Sequence, residues 1–191
     1  MTITAGILRG RRLRIPPGIR PTTDRVRAAV FDALQRPPPE RVLDLFAGSG
    51  AFGIEALSRG AEYACFIERS RRAAAAIRQN LEHLGVRDSA HVVVGDARRA
   101  TLARGAPFGL VFADPPYADD PWMTLFHALE TPGLLTSEAL VVTETSSRIG
   151  PPLAPVGWSC LKERRHGDTT FSIFRREQPA AAQPRPDSPP L

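Results

Sequence analysis

The chain is 191 residues long, 42% hydrophobic and 24% charged, with a net charge of +5 and a pI near 10.2. That length suits one domain with a small appendage, and the apolar content suffices for a core, which excludes a wholly disordered or fibrous chain. The longest apolar runs are strand-sized, short of the roughly 18 to 20 residues of a membrane span. No apolar segment of signal-peptide type opens the sequence, so a cytoplasmic protein is expected.

In chain order, residues 1–21 are basic. Short alternating stretches (Ile3 to Leu8, Arg11 to Ile15) flank Arg9-Gly10, which predicts a hairpin arm ended by Pro16-Pro17-Gly18. Thr22, Thr23 and Asp24 are candidate caps for a helix whose apolar positions are Val26, Val30, Phe31 and Leu34, stopped before Pro37-Pro38-Pro39. Strand and helix patterns then alternate. Strands are predicted at Arg41 to Phe46, Tyr63 to Glu68, His91 to Gly95, Leu110 to Ala113 and Leu140 to Glu144. Helices are predicted at Phe52 to Ser58, Arg71 to Leu84 and Trp122 to Leu129. Two last strands, Trp158 to Glu163 and Thr169 to Phe174, flank a basic turn. Repeated strand–helix units predict a doubly wound α/β fold, a parallel sheet with helices on both faces and an antiparallel closing hairpin. Residues 177–191, rich in Pro, Ala and Gln, read as a disordered tail. Cys65 and Cys160 both fall in strand-like segments; two buried, reduced thiols are expected, with no disulfide and no metal site.

Charge placement suggests a partner. Lys162 is the single lysine among 25 basic residues. Arg9, Arg11, Arg12, Arg14, Arg20, Arg25 and Arg27 crowd one segment, and Lys162, Arg164, Arg165 and His166 form a second cluster. Either alone suits a solvated face; together they read as a footprint for nucleic-acid phosphates.

The first strand runs into Asp44-Leu45-Phe46-Ala47-Gly48-Ser49-Gly50-Ala51-Phe52-Gly53. Gly48, Gly50 and Gly53 satisfy G-x-G-x-x-G between strand and helix, where a nucleotide-type cofactor meets the backbone. Asp44 inside the strand is of no use to a pyrophosphate and suits a cationic α-ammonium group; the competing reading is a core-edge carboxylate capped by backbone N–H groups. Glu68, ending the second strand, fits a ribose diol. Asp96, after the third, can accept from an adenine amine, and Ala97 leaves room for the ring.

Asp114-Pro115-Pro116-Tyr117 closes the fourth strand. Two prolines make a rigid turn, so a carboxylate, the Pro115 carbonyl and an aromatic ring are expected at the ligand edge of the sheet. A base's exocyclic amine is a poor nucleophile because its lone pair is delocalised. Acceptors on its N–H groups, Asp114 and the Pro115 carbonyl, favour the pyramidal amine and stabilise the charge that develops on methyl transfer. Tyr117 offers a stacking face.

These residues resemble the class I S-adenosylmethionine-dependent methyltransferases that modify exocyclic amines. More narrowly, Arg20-Pro21-Thr22-Thr23-Asp24-Arg25-Val26-Arg27 and Leu43 to Gly50 resemble the bacterial 16S ribosomal RNA guanine-N2 methyltransferases, which modify a loop guanine conventionally numbered 966. The likeness covers roughly residues 4 to 175 and includes Arg165-His166-Gly167-Asp168-Thr169. Many relatives have Phe where this chain has Tyr117, and the near absence of Lys and the Pro/Ala tail lie outside the pattern. The resemblance implies a Rossmann-like, mostly parallel seven-stranded sheet with an antiparallel C-terminal strand, the methyltransferase domain spanning 22–176. It implies S-adenosylmethionine as cofactor and S-adenosylhomocysteine as product. Asp44, Phe46, Ala47, Gly48, Ser49, Gly50, Glu68, Asp96, Ala97 and Asp114 are its implied cofactor residues, and Asp114, Pro115 and Tyr117 its catalytic ones. Arg9, Arg11, Arg12, Arg20, Thr22, Thr23, Asp24, Arg25, Lys162, Arg164 and Arg165 are implied to meet substrate or RNA. The implied partner is 16S ribosomal RNA, free or in the small subunit; a monomer without metal or membrane contact is expected. Competing readings are a DNA amino-methyltransferase, a nicotinamide-dependent oxidoreductase and a non-catalytic RNA-binding module.

Overall fold

The structure, a computed structural model, describes residues 1–19, 22–116 and 120–177. The strands are β1 (Arg41–Leu45), β2 (Tyr63–Glu68), β3 (Ala90–Val94), β4 (Phe108–Ala113), β5 (Leu135–Ser146), β6 (Trp158–His166) and β7 (Thr169–Arg176). The helices are α1 (Asp24–Leu34), α2 (Ala51–Ser58), α3 (Arg71–Leu84) and α4 (Trp122–Leu129). The sheet order is β3-β2-β1-β4-β5-β7-β6. Neighbouring strands pair in parallel from β3 to β5, and β7 runs antiparallel to both β5 and β6. The fold is thus the Rossmann-like seven-stranded sheet that the resemblance implies. The chain leaves β1 toward β2 and β3, then returns to β4 on the other side. That reversal opens a crevice at the carboxyl ends of β1 and β4, where open α/β sheets bind ligands.

Local signals set the helix ends. Thr23 caps α1, its hydroxyl accepting from the Val26 N–H at 3.3 Å, and Gln35 takes the left-handed conformation ahead of the prolines. Ser70 caps α3 and Gly85 ends it at φ 73°. Alternation along the strands feeds two apolar layers. Val42, Phe66, Leu110, Phe112 and Val142 meet α1, α2, α3 and the N-terminal segment, whereas Leu43, Leu45, Cys65, Val111 and Val141 meet α4. Every residue of α2 is buried, because it lies between the sheet and the N-terminal segment.

The strands differ from expectation where polarity hid them. β5 begins at Leu135 because Thr136, Ser137 and Glu138, though exposed, extend the pairing toward Phe108. β6 runs on to His166 through charged residues because it is an edge strand, where exposed charge blocks further pairing. That edge also corrects the expectation for Cys160, which is exposed; Cys65 is buried. Burial pushes the Cys65 thiol up to about 11, so it is an inert core residue.

At the N-terminus a single antiparallel bridge, Thr2 to Arg12, stands where a hairpin ladder is expected. The segment packs inward: Ile3, Leu8 and Leu13 are buried. Thr4 and Ala5 donate backbone N–H groups to Glu55. Arg14 exchanges backbone hydrogen bonds with the side chain of Asn80. Arg27 departs furthest from expectation. Assigned to the phosphate footprint, it is fully buried, its guanidinium donating to Glu55 and Asp24 at 3.0 and 3.1 Å and to the Thr2 carbonyl. Arg59 completes the network on the other Glu55 oxygen at 2.9 Å. The expected tail lies, from residue 178 on, outside the described residues. Among the described residues no helix is long and apolar enough to cross a membrane.

Candidate active site

The turn after β1 is tighter than its glycines alone suggest. Phe46, Gly48 and Gly50 all take positive φ, at 56°, 56° and 78°. Phe46 is a non-glycine residue in the left-handed region, a strained conformation of the kind that gathers at ligand sites. Ala47 N–H donates to the Ile67 carbonyl, and Asn80, buried on the apolar face of α3, donates to the Ser49 carbonyl at 3.2 Å. Gly53 has a packing role: an added Cβ would lie 2.3 Å from the Phe66 ring. Gly53→Ala is therefore expected to force α2 off β2, lowering stability by about 1–3 kcal/mol. A thermal melt against wild type reads this, and an unchanged midpoint would refute it.

Five carboxylates, Asp44, Glu68, Asp96, Asp114 and Glu144, line one cavity of about 500 Å³. Asp44, 3% exposed, accepts from the Gly53 N–H at 2.9 Å. Both sequence readings of Asp44 are thus physically compatible: it caps the helix start and it faces the cavity. Its burial raises its carboxyl well above the usual range. The Gly53 N–H opposes that rise, while the charges of Asp114 and Glu68 add to it. Glu68 ends β2 and accepts from two backbone N–H groups, Gly48 at 2.9 Å and Ser70 at 2.7 Å. It fastens the glycine turn and keeps lone pairs for further donors.

Asp114 follows β4 and accepts from the Thr22 hydroxyl at 3.0 Å; the same hydroxyl lies 3.3 Å from Glu144. Glu144, at the end of β5, is the functional candidate that the sequence reading missed. The available signal was a carboxylate beyond the apolar run Leu140 to Val142. Pro115 and Pro116 line the cavity; Tyr117 lies outside the described residues, as does Arg20.

Asp96 and Ala97 reach the cavity too, but Asp96 is already engaged. Arg98 grips its carboxylate with contacts of 2.6 to 3.0 Å and holds it below the usual range by hydrogen bonding. An adenine amine there would share the carboxylate with Arg98.

The basic residues divide by position. α1 starts at the cavity, with Thr22 and Thr23 in its wall and Arg25 exposed on its first turn. Asp24 turns away, accepting from the Thr2 N–H at 3.0 Å and from Arg27; it ties down the N-terminus and does not line the cavity. Arg164 and Arg165 are exposed near the tip of the β6–β7 hairpin, whose Thr169 reaches the cavity wall. Lys162 is committed elsewhere, its amine donating at 2.8 Å to the Ala33 carbonyl at the end of α1. Nor do Arg9, Arg11 and Arg12 gather at the cavity. Leu8 is tied to Ser58 at the end of α2, and Arg11 donates to the His83 carbonyl near the end of α3. Those helix ends lie at the opposite end of the strands from the cavity, roughly 12 Å along α2 and roughly 21 Å along α3.

The donor set suits an organic cation bearing hydroxyls: buried carboxylates, a backbone turn open to close approach and room for a nucleoside. No His, Cys, Asp and Glu grouping fit to hold a metal occurs among the described residues. Known proteins share the sequence and the fold. The family described as Conserved hypothetical protein 95 matches residues 1–175. The chain is 39% identical over 178 residues to the Escherichia coli K12 protein named ribosomal RNA small subunit methyltransferase D, covering 92% of this chain and 89% of that one. It is 32% identical to its Haemophilus influenzae namesake, covering 91% and 92%. The solved structure of Escherichia coli yhhF superposes with a TM-score of 0.80 at 38% identity, covering 93% of this chain and 98% of that one. An RNA methyltransferase from Salinibacter ruber, solved with S-adenosyl-L-homocysteine, has the same fold at 18% identity and a TM-score of 0.66, covering 86% and 98%. The chain belongs to the Conserved hypothetical protein 95 family and is a Rossmann-like, S-adenosylmethionine-dependent methyltransferase.

Proposed function

We propose that the protein methylates the exocyclic N2 of a guanine in 16S ribosomal RNA, the loop guanine conventionally numbered 966, in the small ribosomal subunit or its assembly intermediates. One observation carries the reading: Asp114, positioned by Thr22, shares a cavity with the glycine turn and Glu68. The names of the relatives supply the substrate class.

When bound, S-adenosylmethionine supplies a methyl group made electrophilic by its sulfonium. The Gly48–Gly50 turn and Asp44 hold the amino-acid portion, Glu68 the ribose and Asp96 the adenine. Across the cavity Asp114 accepts an N–H of the guanine amine, concentrating the lone pair on N2 and offsetting the positive charge that develops there. The N2–methyl bond forms as the methyl–sulfur bond breaks, and the surplus proton leaves N2 for Asp114 or water. Holding the two partners in line supplies much of the rate. Arg25, Arg164 and Arg165, exposed around the cavity, meet the flanking phosphates. Arg9, Arg11 and Arg12 at the far end of the strands meet a separate stretch of RNA.

The deciding experiment offers labelled S-adenosylmethionine and small subunits from a strain lacking this methylation, followed by mass mapping. Label on N2 of one guanine supports the proposal; label on DNA alone, or on no RNA, overturns it. The raised carboxyl of Asp44 adds a pH signature. Affinity for S-adenosylhomocysteine is expected to fall on acidification, at a pH above the usual carboxylate range, as Asp44 takes up a proton and stops attracting the ammonium group. Calorimetric titrations at several pH values read this; Asp44→Asn should bind more weakly and without that slope. An unchanged slope in the variant would remove Asp44 from ammonium recognition.

A further inference from the structure

We propose that Glu144 reads the N1–H of the target base and thereby makes the cavity select guanine; the inference rests on the guanine-N2 reading above. Parallel pairing of Thr143 with Ala113 brings the next residues, Glu144 and Asp114, side by side at the ends of β5 and β4. Both line the cavity, and the Thr22 hydroxyl lies 3.3 Å from Glu144 and 3.0 Å from Asp114. One hydroxyl within reach of both shows that the two carboxylates are close neighbours in the cavity wall. Thr22 has a single proton to donate and Thr169 gives another to Glu144 at 3.4 Å. Glu144 thus accepts from hydroxyls and presents its carboxylate to the cavity. It is 6% exposed, and a donor from the ligand is worth more in such a buried setting than in water.

Base chemistry supplies the discrimination. Guanine carries N1–H directly beside its exocyclic amine, two adjacent donors for two adjacent carboxylates. Adenine and cytosine place an unprotonated ring nitrogen beside theirs. That lone pair would face the Glu144 carboxylate and be repelled by it, where guanine's N1–H would be attracted. Asp114 therefore serves the amine wherever it comes from, and Glu144 decides which base may bring it.

The test uses the full-length enzyme and small subunits reconstituted from ribosomal RNA carrying guanine or 2-aminopurine at the methylated position. 2-Aminopurine keeps the amine but has no N1–H. Wild type is expected to favour guanine by roughly a hundredfold in kcat/KM. Glu144→Gln, whose amide also donates, should shrink that preference to about tenfold or less, while Glu144→Asp restores most of it. Thermal melting and S-adenosylhomocysteine binding confirm that each variant is folded. Equal wild-type rates on the two bases overturn the proposal whatever the variants do. So does a Glu144→Gln enzyme that slows on both bases by one factor, or that folds, binds the product and methylates neither. Wild type inert toward the guanine-bearing subunit removes the functional reading itself; active wild type with an unaltered preference in Glu144→Gln removes only the role of Glu144.

Discussion

Asp114→Asn is expected to slow methyl transfer to small ribosomal subunits by about a hundred- to a thousandfold, the usual effect of removing one group aimed at developing charge. The substitution keeps the shape of the side chain and one acceptor oxygen. It removes the negative charge that offsets the positive charge growing on N2. Thr22 still donates to a neutral amide, so the loop should hold its place. Single-turnover rates with enzyme in excess report the loss directly, without interference from product release. S-adenosylhomocysteine affinity, measured alongside, should change far less than the rate. A rate loss matched by an equal loss of affinity would reassign Asp114 to cofactor binding. A rate within about threefold of wild type would remove it from the reaction.

The largest stability effect is expected at Arg27 and Glu55. Both side chains are fully buried, and Glu55 collects Arg27 at 3.0 Å, Arg59 at 2.9 Å and the Thr4 hydroxyl at 2.5 Å. Arg27→Met leaves a buried carboxylate without its principal cation, a change that typically costs 3–5 kcal/mol, or about 10 °C in melting midpoint for a chain of this size. Because Arg27 also holds the Thr2 carbonyl, the N-terminal segment should loosen at the same time, which hydrogen exchange at residues 2–13 would reveal. Burial alone would raise the Glu55 carboxyl. Hydrogen bonds from Thr4, Arg59 and Arg27 outweigh it and hold the group below its usual range. Its stabilisation is therefore complete above the unfolded-state pKa and is lost as pH falls through the folded value. Glu55→Gln should be less stable at neutral pH and less sensitive to acid. An Arg27→Met midpoint within about 2 °C of wild type would show that the network contributes little.

Arg27 also shows why part of the basic footprint is spent inside the fold. Arg27 and Lys162 are indistinguishable in sequence from arginines that meet phosphates, because a charge in a linear chain carries no statement of depth. Arg27 is buried because a helix turn places it opposite Glu55, some thirty residues away. Lys162 is committed because the end of α1 happens to lie against an edge strand. Long-range encounters of this kind depend on packing, which hydrophobic periodicity does not encode.

Sequence alone determined what depends on neighbours along the chain. Apolar patterning marked the seven strands and four helices of the described residues, with ends displaced mainly where exposed polar residues extend β5 and β6, and it overstated the N-terminal hairpin, which is a single bridge. Thr23 announced a helix start because caps act within three or four residues. Gly48 and Gly50 announced the turn because few other residues adopt positive φ. The motif carboxylates Asp44, Glu68 and Asp114 were legible because the end of a parallel strand is a known ligand edge. Tertiary structure decided the rest. The parallel register of β4 and β5 set Glu144 beside Asp114, and the start of α1 brought one threonine hydroxyl within reach of both. The engagement of Asp96 by Arg98 and the distance of Arg9, Arg11 and Arg12 from the cavity belong here too. Each is a matter of where separate elements come to rest against one another, and that follows from packing the whole chain, not from any window of its residues.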